Sequence, residues 1–244
     1  MKFGKLNAVS AAIFLIGVFA GSGIVYMISQ MQFSQLVTEL NTSRRQLGDT
    51  RTELFGVKVD LDKAKSPRLP AFVPVDLDPR STSLLLLDFT PSIAYRRQMF
   101  NASLPNIQAF LAKTRNAGVP ILYTRVPVPE LASRQDETVI TNDKRADKFF
   151  ETELESWLRS KQVKTLVITG VATNGAVMYT AFAASLRGFT VVVAADGAAS
   201  DSEFIQNYTL FQLLNQPGRS NPENRPLAPN SVTLSTTALI RFET

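Results

Sequence analysis

The stretch that decides the fold is VKTLVITGVATNGAVMYTAFAASLRGFTVVVAADGA, from Val163 to Ala198. It holds two apolar runs rich in β-branched residues, Thr165–Thr169 and Phe189–Ala194, which are typical of strands buried on both faces. Between them, Asn174–Arg187 has the composition of a helix, and Gly188 follows as a stop signal. A strand, a helix and a second strand in this order predict a βαβ unit and hence a parallel sheet.

The same alternation of strand and helix signals extends over the chain from Ser81 onward. Further strands are predicted at Ser83–Asp88, Val119–Arg125 and near Val232–Leu234, and further helices at Leu104–Asn116, around Phe150–Leu158 and at Glu203–Leu214. This pattern predicts an α/β domain in which helices cover both faces of a mostly parallel, doubly wound sheet. Such sheets bind ligands at the carboxyl ends of their strands.

The turn after the strand Thr165–Thr169 resembles that of the isochorismatase-like hydrolases, also called cysteine hydrolases. Their turn has the pattern G-V-x-T-x-x-C-V-x-x-T-A, and residues 170–181 here are GVATNGAVMYTA. The resemblance implies a three-layer sandwich around a mostly parallel sheet. It also places Ala176 where the amidase members of the family have their nucleophilic cysteine. A methyl group cannot attack a carbonyl, so the resemblance implies the fold and puts the usual chemistry in doubt.

Two further positions follow from the same resemblance. The family has a catalytic aspartate in a strand-end D-x-Q triplet, and here the triplet is Asp88-Phe89-Thr90, which lacks the glutamine. The family's catalytic lysine precedes by six residues a phenylalanine that opens a helix, which indicates Lys144 before Phe150. The resemblance implies that Asp88 and Lys144 form an acid–base pair. The simpler alternatives are a capping aspartate and a solvated loop lysine.

The turn itself has a predicted role that needs no side chain. In the family the peptide bond at the position of Val171-Ala172 is cis, and this implies an oxyanion hole formed by the backbone N–H groups of Ala172 and Ala176. The alternative is that the turn only connects strand to helix. Side chains expected around the pocket are Phe89, Thr173 and Tyr179.

Composition excludes several classes of function. The chain has neither cysteine nor histidine, which removes disulfides, thiolate chemistry, imidazole catalysis and nearly all zinc and iron sites. We therefore expect no metal and no cofactor. The net charge of +5 comes with no stripe of basic residues and aromatics, so no nucleic-acid partner is expected.

The N-terminal residues predict a membrane anchor. Residues 8–28, AVSAAIFLIGVFAGSGIVYMI, are uncharged and mostly apolar, and 21 residues at about 1.5 Å each span a bilayer core. Lys2 and Lys5 precede the span, which predicts a cytoplasmic N-terminus and a periplasmic or otherwise extracytoplasmic C-terminal domain in a bacterial inner membrane. The alternative is a cleaved signal peptide, but its apolar region is normally shorter.

The segment after the anchor, residues 30–66, is predicted to be a helical stalk. Leucine or phenylalanine recurs every seven residues, while the companion positions are only half apolar. We expect this stalk to lie against a partner protein or its own domain, the alternative being a self-associating coiled coil. The prediction for the whole chain is an anchor at 1–29, a stalk at 30–66, a proline-containing linker at 67–80 and the α/β domain at 81–244.

Three functions are compatible with these features. The favoured one is a catalytically degenerate domain that serves as an accessory or structural subunit of a membrane complex, with other membrane-protein subunits as partners. The second is a cysteine-independent isochorismatase-type hydrolase that uses Asp88 and Lys144. The third is a sensor domain that binds a small molecule in the former active-site pocket.

Overall fold

The structure of the chain, a computed structural model, describes residues 33–53, 67–141, 145–216 and 219–243. The chain divides into two units, Met1–Leu61 and Asp62–Thr244, which are described separately. The predicted anchor at 8–28 lies outside the described residues. Within the described ranges, no helix combines the length and the apolar character needed to cross a membrane.

The first unit contributes one described helix, α1, at residues 33–53. All its side chains are exposed, including those of Phe33, Leu40 and Leu47. Residues 33–53 of the predicted stalk are helical, and residues 54–66 lie outside the described ranges.

The second unit alternates strands and helices. Its strands are β1 (Val75–Leu77), β2 (Thr82–Leu87), β3 (Ile121–Thr124), β4 (Thr138–Ile140), β5 (Thr165–Val171), β6 (Thr190–Ala199), β7 (Val232–Ser235) and β8 (Ile240–Phe242). Its α-helices are α2 (Pro91–Ala94), α3 (Phe100–Asn116), α4 (Leu154–Ser160), α5 (Met178–Leu186) and α6 (Glu203–Asn215). Short 3-10 turns lie at Pro79–Ser81 and Pro129–Leu131.

Six of the strands form one parallel sheet in the order β4-β3-β2-β5-β6-β7. The chain builds the sheet outward in one direction from β2 to β4, then returns to the centre and builds in the other direction from β5 to β7. This order confirms the prediction of a doubly wound parallel sheet. The point at which the winding direction reverses lies between β2 and β5, and α/β sheets bind ligands at such a point.

Two apolar cores cover the two faces of the sheet. Leu85 and Leu87 of β2 point into the core that also contains α4, α5 and α6, while Leu84 and Leu86 point into the core that contains α3. Successive side chains of a strand face opposite sides, so a central strand with both faces covered must be apolar throughout. The continuous leucine run of β2 meets this requirement, since all six of its residues are buried.

The segment predicted as a linker, residues 67–80, contains β1. This strand pairs in parallel with β8, with Val75 opposite Ile240. Just before it, the Val73 N–H donates to the Leu234 carbonyl at 3.2 Å, and the Ser235 hydroxyl donates to the Val73 carbonyl at 2.7 Å. From Val73 onward the segment is therefore hydrogen-bonded to the α/β domain.

A buried ion pair joins α3 to the loop that leads into β4. The Arg115 guanidinium donates to both carboxylate oxygens of Glu137, at 2.7 and 2.9 Å, and the Tyr123 hydroxyl donates to the same carboxylate at 3.1 Å. Burial raises the pKa of Glu137, but hydrogen bonds from Arg115 and the Arg134 backbone N–H outweigh it, so the pKa lies below its ordinary value. Burial and the neighbouring Glu137 charge raise the pKa of Tyr123.

We expect Glu137→Gln to lower the free energy of unfolding at neutral pH by about 1–3 kcal/mol, because the variant loses the charged hydrogen bonds to Arg115. A carboxyl with a depressed pKa stabilises the fold above its unfolded-state pKa of about 4.3, and this stabilisation is lost as the pH falls through the folded-state pKa. The stability difference between wild type and variant should therefore shrink below about pH 4. Urea titrations at several pH values, followed by the emission of Trp157, test this, and a difference that does not vary with pH would contradict it.

Candidate active site

Three chain segments meet where the winding direction of the sheet reverses. Asp88 directly follows β2, Arg125 follows β3, and Ala172 follows β5. Asp88 and Arg125 both have left-handed backbone conformations, with φ of 54° and 65°. Residues other than glycine rarely adopt this region, and it concentrates at functional sites, so the two strand ends are candidates for a site.

The Asp88 carboxylate is the centre of this region. One carboxylate oxygen accepts a hydrogen bond from the Lys148 ammonium at 2.8 Å. The other accepts from the Thr124 hydroxyl at 3.1 Å and lies 3.5 Å from Nε of Arg125. Only 10% of the Asp88 side chain is exposed. Within the described part of the chain, Lys148 and Arg125 thus place positive charge beside a carboxylate that is almost closed off from solvent.

Lys148 is buried, with 1% of its side chain exposed. Its ammonium also donates to the Arg145 carbonyl at 2.8 Å. Its backbone is fixed on both sides: the N–H donates to the Thr180 hydroxyl of α5 at 3.2 Å, and the carbonyl accepts from the Thr152 hydroxyl at 2.5 Å. The Thr180 hydroxyl also donates to the Ala146 carbonyl at 3.3 Å. Thr180, the second threonine of the turn pattern, therefore positions the loop that carries Lys148.

Among the described residues, the lysine that contacts Asp88 is Lys148, which the sequence analysis did not single out. Lys144 lies outside the described residues, so its predicted role stays a prediction. Lys148 follows four residues later in the same loop. The signal that could have identified it is its position directly before Phe149, a residue of the apolar core.

The turn after β5 has the features that the family resemblance implies. The peptide bond between Val171 and Ala172 is cis. The Ala172 carbonyl then accepts hydrogen bonds from the N–H groups of Gly175 and Val177, at 3.0 and 3.4 Å, which closes a helical turn over residues Thr173–Val177. Ala176 lies in this turn with only 4% of its surface exposed. The predicted oxyanion-hole role of the Ala172 and Ala176 N–H groups stays a prediction.

Gly170 lets β5 approach β2 closely beside this turn. It lies opposite Leu87, the last residue of β2. A Cβ atom at Gly170 would lie 2.7 Å from both the Cβ atom and the carbonyl oxygen of Leu87. No side chain larger than hydrogen fits between these two strand ends.

The predicted pocket residue Thr173 is engaged in a buried network. Its hydroxyl donates to the Gln206 side-chain oxygen at 2.5 Å. The Gln206 amide nitrogen in turn donates to the carbonyls of Ala195 and Ala198 in β6, both at 3.1 Å. Gln206, which the sequence analysis did not single out, therefore ties the turn to the neighbouring strand.

The other two predicted pocket residues lie in different environments. Phe89 is in the apolar core, where its ring packs against that of Phe100 at a centroid distance of 5.9 Å. Tyr179, at the start of α5, is half exposed. The structure thus brings Asp88 and the turn at 172–176 to one edge of the sheet, while Phe89 packs into the interior.

The comparison with family profiles identifies the class of this domain. The isochorismatase domain profile matches residues 82–218, which is more than half of the chain, and the chain belongs to this family. The match covers β2 to α6 and therefore includes every residue of the candidate site.

Individual relatives are distant. The chain is 34% identical over 67 residues to the uncharacterized isochorismatase family protein YaaI of Bacillus subtilis, and 23% identical over 148 residues to an N-carbamoylsarcosine amidase of Arthrobacter. The two matches cover 28% and 47% of this chain. They span 37% and 56% of the relatives' own lengths, which is less than two thirds in both cases. Among solved structures, a cysteine hydrolase from Pseudomonas syringae aligns with a TM-score of 0.58 at 17% identity, over 69% of this chain and 94% of its own.

The side chains of the candidate site determine which reactions it could support. A carboxylate hydrogen-bonded to an ammonium can pass a proton to or from a bound molecule. Covalent catalysis needs in addition a nucleophile within reach, and Ala176 offers none. The aliphatic hydroxyl groups nearest to Ala176 in the sequence, those of Thr173 and Thr180, are both engaged in buried hydrogen bonds.

Proposed function

We propose that this chain is a catalytically degenerate member of the isochorismatase family that serves as an accessory or structural subunit of a membrane complex. In this proposal residues 8–28 anchor it in a bacterial inner membrane, and its α/β domain lies on the extracytoplasmic face. The observation that carries the proposal is the buried methyl group of Ala176 in the turn after β5, in a chain without cysteine.

Two features of the candidate site support the loss of catalysis. The Asp88 carboxylate is enclosed, and of the residues that the structure describes, Lys148, Thr124 and Arg125 lie against it. A substrate would have to reach a side chain of which 10% is exposed. The buried Asp88–Lys148 pair ties the end of β2 to the loop before α4, and the Thr124 hydroxyl joins the ends of β2 and β3 through the same carboxylate.

The test of catalysis is a hydrolysis assay on the full chain in mild detergent, with isochorismate and simple amides as substrates. We expect no turnover above that of Asp88→Asn, a variant of similar size that lacks the carboxylate charge. We also expect Ala176→Cys to stay inactive towards amides, because Asp88 remains enclosed. Thiol-dependent turnover by Ala176→Cys would instead mean that a substrate pocket is intact and that one substitution silences it.

The accessory role is tested separately by native sizing after extraction in mild detergents. We expect the chain to migrate with other membrane proteins, identified by mass spectrometry of the sized fraction. Isolation of the chain with no other protein in every detergent would contradict the accessory role.

A second candidate function is cysteine-independent hydrolysis by protonation. It is favoured by the contact of 2.8 Å between the Asp88 carboxylate and the Lys148 ammonium at the end of β2, while the role predicted for Lys144 stays a prediction. An aspartate that donates a proton to a vinyl ether needs no covalent nucleophile. Isochorismate turnover that Asp88→Asn abolishes would establish this function and overturn the first.

A further inference from the structure

An exposed apolar stripe runs along α1. Counting heptads from Phe33, the a positions are Phe33, Leu40 and Leu47, and the first d position is Leu36. The side chains of Leu40 and Leu47 are 56% and 70% exposed. Apolar residues with this spacing form the contact seam of coiled coils, and large side chains left in water on one face indicate a surface that another helix covers.

The remaining d positions of α1 are Ser43 and Thr50, which are polar but small. The Thr50 hydroxyl donates to the Gln46 carbonyl one turn earlier, at 2.8 Å. Burying a hydroxyl is costly only when it lacks a hydrogen-bond partner. Thr50 can therefore present its methyl group to a neighbouring helix while its hydroxyl stays satisfied within α1.

The charged residues that flank the stripe indicate which helix could cover it. Glu39 is at a g position, and Arg44 is at the following e position. In a parallel pair of identical helices, each g residue faces the e residue five positions later on the partner helix, so Glu39 faces Arg44. The next such pair is Gln46 with Arg51. An antiparallel pair would place e against e and g against g, and so bring together residues of like charge.

We propose that α1 pairs in parallel and in register with α1 of a second copy of this chain. The two helices bury the seam of Phe33, Leu36, Leu40 and Leu47, and two symmetric Glu39–Arg44 contacts flank it. The sequence continues the pattern beyond α1, with Leu54 and Leu61 at a positions and Glu53 at g five residues before Lys58. This interaction is independent of whether the α/β domain catalyses a reaction or binds other subunits.

Cysteine cross-linking of the full chain tests the proposal, since the natural sequence contains no cysteine. Thr50→Cys places the thiol at a d position, where the two copies meet. Thr52→Cys is the matched control, because Thr52 is on the outer face of the proposed pair and its hydroxyl likewise bonds the carbonyl one turn earlier. A disulfide requires Cβ atoms within about 4.5 Å, so we expect Thr50→Cys to form a covalent dimer at least ~10-fold faster than Thr52→Cys.

Three results would overturn the proposal. Equal cross-linking of both variants would indicate random collision. Absence of cross-linking in Thr50→Cys would mean that the two seams do not meet. A product that joins Thr50→Cys to a different protein would assign the stripe to another partner. To exclude collision within shared micelles, oxidation is repeated at increasing detergent-to-protein ratios, and the preference for Thr50→Cys should persist.

A second measurement uses the mass of the protein in detergent. We expect the wild type to have twice the chain mass of 26.9 kDa. Leu47→Glu should shift it to the monomer, while Thr52→Glu, with the same added charge on the outer face, should leave the dimer intact. Unchanged emission of Trp157, which lies in the α/β domain, would show that the domain is folded in both variants. A monomeric wild type, or a dimer that survives Leu47→Glu, contradicts the proposal.

Discussion

Replacing Lys148 with methionine is expected to lower the free energy of unfolding by about 3–5 kcal/mol. Methionine is close to lysine in length and fits an apolar site, so the main change is the loss of the charge. The Asp88 carboxylate, only 10% exposed, would lose its contact with the Lys148 ammonium at 2.8 Å. Removing one partner of a buried ion pair destabilises a fold far more than the pair stabilises it. The Arg125 guanidinium, 3.5 Å from the carboxylate, would remain, so we expect a loss at the lower end of this range.

The control for this prediction is the double variant Asp88→Asn/Lys148→Met, which removes both charges. We expect the double variant to be more stable than Lys148→Met and closer to the wild type, because it no longer buries the Asp88 charge without the Lys148 ammonium. Urea unfolding followed by Trp157 emission measures all of these variants, since Trp157 is the single tryptophan of the chain. A Lys148→Met variant as stable as the wild type would contradict the prediction that the buried Asp88 carboxylate depends on the Lys148 ammonium.

Replacing Gly170 with alanine is expected to lower the free energy of unfolding by about 3 kcal/mol. The added methyl group would lie 2.7 Å from two atoms of Leu87, one of them a backbone oxygen. Neither can swing aside as the end of a flexible side chain could, so β2 and β5 would have to separate at the candidate site.

The matched control is Gly197→Ala in β6, where the nearest atoms to an added Cβ lie at 3.4 Å. This is an ordinary contact distance, so the control variant should unfold at nearly the wild-type urea concentration. Equal stability of the Gly170→Ala and Gly197→Ala variants would contradict the close approach of the strand ends. The same urea titration provides the measurement.

Much of the fold could be predicted from the sequence because its central elements carry strong local signals. The leucine run of β2 and the valine run of β6 are typical of strands covered on both faces of a sheet, and helices with clear stop signals separate the strands. By contrast, β1, β4 and β8 have three residues each, too few to show a period. The linker prediction for 67–80 rested on its prolines, and the pairing of β1 with β8 depends on a strand more than 160 residues away.

The candidate site was only partly predictable. Asp88 and the turn at 172–176 follow from strand-end position and from the family pattern. Lys148 was missed because the burial of a lysine depends on a carboxylate that is distant in sequence, and its place directly before the core residue Phe149 is only a weak local signal. Gln206 was missed for the same reason, since its three hydrogen bonds join segments that the sequence leaves separate.

The pairing of β1 with β8 has a mechanical consequence. Tension applied to the chain ahead of Val73 first loads the hydrogen bonds of Val73 to β7 and then the ribbon of three residue pairs between β1 and β8, before it reaches β2. The strands are parallel, so such a pull along the strand axis shears all these backbone contacts together instead of opening them one at a time. The last strand of the chain thereby protects the first from being peeled away, and the strand ends around Asp88 are shielded from the strain.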